Sequence, residues 1–266
     1  MVAGAVSAGQ GAYGFGGDEV VIVTGGAMGI GGGIADMLAE AGATVIIADR
    51  QEDAARAKAD ELVAAGHKAA PVVVDMGDEA SIVRLFAEVS ARCTKSGGSL
   101  WGLVNNAGIQ DRQMLLDGTA EEWDRVNAVN SRGVFLASRE AARLMVAGGK
   151  GGRIVHVASA ALIGSLTKGH AVYAASKAAL IGLMRASALE LAEHAITVNT
   201  VLPGGVATPG AINAKGPVPD GPARRALPLG MAEPRDIGAA VLYFASPMAR
   251  CVTNQSFAVD GGWSVT

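Results

Sequence analysis

Val20-Val21-Ile22-Val23-Thr24-Gly25-Gly26-Ala27-Met28-Gly29-Ile30-Gly31 is the stretch on which the reading of this chain turns. Four consecutive aliphatic residues, apolar on both alternating faces, read as a strand buried from both sides. The glycines after it let the backbone turn tightly and come close to a pyrophosphate. The helical pattern that follows places that group on the amides of a helix N-terminus. Glycines alone mark only a loop; a strand before them and a helix after them make a dinucleotide turn. Gly32 and Gly33 carry the run into the helix, where each costs up to ~1 kcal/mol relative to Ala, and nothing in the sequence accounts for them.

Outward from this stretch, apolar strand-like runs recur at 44–48, 69–74, 100–104, 153–158, 196–202 and 255–259. Helical patterns separate them, at roughly 30–41, 51–65, 78–95, 119–147, 171–193 and 233–246. Strand alternating with helix predicts an α/β fold, a parallel sheet of about seven strands with helices on both faces. No linker divides the chain and no repeat is visible. Residues 18–266 are therefore expected to form a single domain behind a loose Gly- and Ala-rich tail, 1–17.

Half of the 266 residues are hydrophobic, 18% are charged and the net charge is −3. A large core is affordable, and without a long basic run nucleic acid is not the expected partner. No apolar run reaches the ~18 residues of a membrane span, and residues 1–17 lack the cationic start of a signal peptide. The two cysteines, Cys93 and Cys251, form no C-x-x-C, which points to a reducing, cytoplasmic home. His67, His156, His170 and His194 lack metal-ligand spacing, and no metal is expected. His170 can reach a pocket rim, but a surface or packing role is the simpler expectation.

Chemistry gathers at the C-terminal ends of the strands, where open parallel sheets bind ligands. Asp49 ends the second strand about 20 residues after the glycines, where an acid can accept hydrogen bonds from an adenosine ribose and repel a 2′-phosphate; Arg50 is adjacent. Asp75 closes the third strand and Asn105-Asn106-Ala107-Gly108 the fourth. Asn130 interrupts a helical pattern, where an amide more often faces solvent. Ser159 follows the fifth strand, and Tyr173 and Lys177 stand one helical turn apart. A tyrosine of pKa ~10 is scarcely ionised at pH 7, but a cation within ~4–6 Å would lower that pKa by ~1–3 units and make the phenol a usable base. Residues 206–230, rich in Pro and Gly, read as an irregular lid, mobile until ligands bind. Leu162, Ile163, Val206 and Ile212 are its expected aliphatic pocket neighbours, with Lys215, Arg224 and Arg225 as the nearby cations.

Taken in order, the Thr24-Gly25-x-x-x-Gly29-Ile30-Gly31 turn, Asp75, Asn105-Asn106-Ala107-Gly108, Asn130, Ser159, Tyr173, Lys177 and Pro203-Gly204 resemble the short-chain dehydrogenase/reductase family from Val20 to Trp263. The resemblance implies a Rossmann-like doubly wound sheet of the compact single-domain branch. By it, Tyr173 is the general acid/base, Ser159 steadies the substrate oxygen, Lys177 holds the nicotinamide ribose, and Asn130 supports a water leading to Lys177. The cofactor is NAD in preference to NADP, with Asp49 as the marker. Asp75, Met76, Asn106 and Ala107 would border adenosine, and Val206 and Thr208 the carboxamide. Two departures stand out. Ser159 and Tyr173 are fourteen positions apart, one more than is commonest, so a bulge is expected between them. Ala158 occupies a position where many relatives carry serine.

The function implied is NAD(H)-dependent interconversion of a small, uncharged secondary alcohol and its ketone. One alternative is a 3-oxoacyl-[acyl-carrier-protein] reductase, for which Lys215, Arg224 and Arg225 would supply a docking face and which would favour NADPH. Another is a non-catalytic nucleotide sensor on the same fold. Relatives are commonly tetramers, and the apolar helix from Ala178 to Leu189 agrees with a homotetramer.

Overall fold

Alternation within each apolar run decides which side chains meet which layer. In β1 (Glu19–Thr24) Val21 and Val23 face one core while Val20 and Ile22 face the other, and β2 (Thr44–Asp49) divides in the same way. In the computed structural model these strands join β3 (Ala69–Val73), β4 (Ser99–Asn105), β5 (Gly152–Val157), β6 (Ile196–Pro203) and β7 (Ser256–Val259). The seven form one parallel sheet in the order β3-β2-β1-β4-β5-β6-β7. The structure describes residues 13, 15–164, 166–209, 213–218 and 220–266.

Helices α1 (Gly29–Glu40), α2 (Glu52–Ala64) and α7 (Pro234–Ala245) cover one face, and α3 (Glu79–Ser96), α5 (Val134–Gly148) and α6 (Ala171–Leu191) the other. The doubly wound expectation is met. Gly33 now has a reason: a Cβ there would lie 2.5–2.7 Å from Pro234, so the glycine lets α1 and α7 approach. Gly32 has none, since its added Cβ would meet nothing nearer than 3.9 Å.

Two expectations need correction. The pattern over 119–147 is α4 (Ala120–Asn127), a π-helical stretch (Ala128–Gly133) and then α5. Here the widened turn brings Asn130 inward, where it is fully buried. The expected tail, 1–17, lies mostly outside the described residues, but Phe15 is buried in the core and the Gly16 and Gly17 N–H groups donate to the Glu19 carboxylate. An aromatic side chain that fills the core ties this end of the segment down.

Candidate active site

The C-terminal strand ends open on a groove of about 880 Å³ that crosses the switch point between β1 and β4. At one end the glycine turn is riveted to β4. Thr24 Oγ1 donates to the Val104 carbonyl (3.2 Å) and accepts the N–H groups of Asn106 (3.0 Å) and Ala107 (3.2 Å). The Asn106 amide donates to the carbonyls of Thr24 and Gly25, so it braces the turn. Gly25 and Gly29 have φ of +62° and +56°, values that side chains rarely adopt. A Cβ on Gly31 would collide with the Gly25 carbonyl. The first turn of α1 carries no acid, so its amides face the groove uncompensated, a cradle that fits a pyrophosphate.

Farther along the same wall, buried Asp49 accepts N–H bonds from Ala27 (3.3 Å) and Gln51 (3.1 Å). Arg50 beside it is exposed. Asp75 accepts the Gly77 N–H (2.8 Å), and Asp75, Met76 and Ala107 line the groove. Ile30, Pro203, Gly204, Val206 and Thr208 line it too. Among the described residues no group of three His, Cys, Asp or Glu side chains is placed to hold a metal ion.

The other end holds Ser159, Tyr173 and Lys177. Ser159 caps a short 3-10 turn (Ala160–Leu162), accepting the Ala161 N–H at 3.1 Å, and it hydrogen-bonds the Tyr173 side chain. Lys177 is 5% exposed; its ammonium donates to the Val157 carbonyl (2.8 Å) and lies 5.9 Å from the Tyr173 ring centre. Burial pulls the Lys177 pKa down to about 8 and pushes that of Tyr173 up, the Ser159 bond opposing the rise. Sequence reasoning expected the lysine to lower the phenol. In the structure the phenol is instead raised, burial being the larger influence and the Ser159 hydrogen bond opposing it.

Asn130 stands behind this wall. Its side chain closes two 2.8 Å bonds with the backbone N–H and carbonyl of Ile109 and donates to Ser176 Oγ (3.0 Å). Ser176 Oγ in turn donates to the Tyr173 carbonyl (2.7 Å). The amide thus ties the loop after β4 to the first turn of α6.

The substrate end differs from expectation. Val206 lines the groove, but Leu162 packs on the Leu180 cluster, Ile163 is exposed, and Ile212 lies outside the described residues. In their place stand Gln110, Thr167, His170, Met231 and Trp263. His170, expected on the surface or in packing, lies with its ring 5.0 Å from that of Tyr173. Burial, aided by Arg112, lowers its pKa to about 4 and keeps it neutral. These groups come from irregular segments with no period to expose them; only His170, three residues before Tyr173, carried a signal.

A family profile described as enoyl-(acyl carrier protein) reductase matches residues 25–264. A 2,5-dichloro-2,5-cyclohexadiene-1,4-diol dehydrogenase from Sphingobium indicum is 35% identical over 93% of this chain and 96% of its own. The chain belongs to the short-chain dehydrogenase/reductase family. A sorbitol dehydrogenase from Cereibacter sphaeroides is 37% identical over 92% of this short-chain dehydrogenase/reductase and 96% of its own length. Among solved structures, a 3-ketoacyl-(acyl-carrier-protein) reductase from Brucella melitensis complexed with NADH superposes with a TM-score of 0.81, at 33% identity over 92% of this chain and 98% of that one. Membership makes the protein an oxidoreductase acting on CH–OH groups with NAD(P).

Proposed function

We propose that this short-chain dehydrogenase/reductase interconverts a small, uncharged secondary alcohol and its ketone with NAD as the preferred partner. The observation that carries the reading is the single groove with a glycine cradle and Asp49 at one end and Ser159, Tyr173 and Lys177 at the other. When bound, the nicotinamide supplies the hydride acceptor or donor. The chain's own residues do the rest. In oxidation the Tyr173 phenol, ionised, accepts the hydroxyl proton while the Ser159 hydroxyl holds the same oxygen; in reduction the proton returns. Lys177 spends one N–H on Val157, leaving two for the ribose hydroxyls, and its charge favours the phenolate. Neutral His170 with Gln110, Thr167 and Met231 supports an uncharged substrate, because these side chains offer a charge no partner; Lys215 farther along the wall is the cation a carboxylate would have to reach.

Buried Asp49 supports NAD over NADP by bonding ribose hydroxyls and repelling a 2′-phosphate. The free cysteines Cys93 and Cys251 support a cytoplasmic home. Among the described residues no helix is long and apolar enough to cross a membrane. Residues 18–266 act as one catalytic unit with a lid at 206–230, in a symmetric homotetramer. The second reading, reduction of a 3-oxoacyl group on a carrier protein, draws support from the Brucella melitensis neighbour.

Alcohol and ketone panels, followed by nicotinamide absorbance with each cofactor and with 3-oxoacyl substrates, test the reading. Tyr173→Phe should lower turnover by at least ~100-fold with NAD binding nearly intact. A variant that keeps most of its activity would falsify the role of Tyr173.

A further inference from the structure

Three loops meet beside the groove around Arg112. Arg112 donates its backbone N–H to the Lys215 carbonyl (2.8 Å), Nε to that of Pro217 (2.7 Å) and Nη2 to that of Ala214 (3.2 Å). Its neighbour Asp111 accepts the Lys215 N–H (2.8 Å) on one oxygen and the Arg125 guanidinium (2.6 Å) on the other. Gly216 packs so closely that a Cβ there would collide with the Arg112 carbonyl. The turn before α6 is drawn in as well. The Gln113 N–H donates to the Gly169 carbonyl (2.9 Å), and Lys168 bonds the Asp220 carbonyl (2.8 Å) and carboxylate (2.7 Å).

These ties lie in the wall of the groove, which Asp111, His170, Ala214 and Lys215 line. A lid that folds onto its ligand adapts to ligands of several sizes. A strap held by a planar fork to backbone carbonyls does not. Among the described residues Arg112 has no carboxylate partner, so its guanidinium is given over to holding the strap. Residues 214–217 of the expected lid are thus tied to the neighbouring loop, which supplies a carbonyl-binding fork that the strap's own sequence lacks.

We propose that Arg112 is a specificity-determining positioning residue: it latches strap 214–217 before substrate arrives, and the fixed wall confines turnover to compact alcohols. This rests on the dehydrogenase reading above. The test therefore has one arm that needs no turnover. Lys215 is exposed and is a trypsin site. Cleavage after Lys215 should be roughly tenfold faster in Arg112→Gln than in wild type, because a local opening has become easier. Arg112→Lys keeps the charge and the stem but cannot span two carbonyls, and should show the same effect with the fold retained. In the second arm, kcat/KM for cyclohexanol relative to 4-phenyl-2-butanol should fall roughly tenfold in both variants, with the KM for NAD unchanged.

Cleavage no faster than wild type in both variants overturns the latch, whatever the enzyme turns over. Faster cleavage with an unmoved size preference overturns the specificity role. Absence of turnover on every alcohol counts against the dehydrogenase reading, and the trypsin arm still decides the latch.

Discussion

The Lys177 ammonium, 5% exposed with one carbonyl partner, holds a proton at pH 7 that burial disfavours. Its folded pKa of about 8 lies below the ordinary 10.5. The unfolded chain thus binds more protons between those values, and stability rises with pH across that window. Lys177→Met should therefore be more stable than wild type at pH 7, by on the order of 1–3 kcal/mol. The advantage should shrink as pH climbs from about 8 towards 10.5; a less stable variant in denaturant titrations at pH 7 would contradict this. Tyr173, pushed up by burial, is mostly protonated at neutral pH, the form that reduction needs. Oxidation should rise by about tenfold per pH unit through the neutral range while reduction does not. An oxidation optimum below pH 7 in paired profiles would count against Tyr173 as the base. At Asp49, exchange for Ser removes the like charge facing a 2′-phosphate, so the NAD-to-NADP ratio of kcat/KM should fall roughly 10- to 100-fold. A wild type already favouring NADP would assign the choice to Arg50. Residues acting through local spacing were legible beforehand: Tyr173 with Lys177, and Asp49 after the glycines. Arg112 and Gln110 were not, because their partners come from irregular loops distant in sequence.

At the scale of elements, the neighbours Gly32 and Gly33 separate intrinsic propensity from packing. Both lie in α1, and an added Cβ meets only ordinary van der Waals contacts at Gly32 but collides with Pro234 at Gly33. Gly32→Ala should raise stability by ~0.5–1 kcal/mol, whereas Gly33→Ala should lower it by ~1–3 kcal/mol. Thermal unfolding of the pair checks this, and equal effects would mean that α1 and α7 are not in close contact. Strands and helices were readable because the parallel sheet is buried on both faces, which writes continuous apolar runs into the chain. The π-helical turn was not. Asn130 faces inward because Ile109 and Ser176 bond its amide, and helical periodicity contains no trace of those partners.

At the scale of the whole molecule, apolar side chains remain uncovered on α4, α5 and α6: Trp123 and Phe135 are about half exposed and Leu189 is 82% exposed. Ala178, Ala179, Gly182 and Ala186 form an exposed small-residue face beside Leu189 on α6. Such faces support the homotetramer; light scattering at micromolar concentration should give four times the chain mass, and a monomer would refute it. Seen as a newly made chain leaving the ribosome, the contact between Gly33 and Pro234 acquires another meaning. Helix α1 is translated first among the helices, yet the partner that covers it is translated last. A growing chain must carry that apolar face exposed while the intervening sheet is assembled, the interval in which aggregation competes with folding. A product released before Pro234 would never cover it, so a finished chain is distinguished from a broken one at helix α1, far from the break.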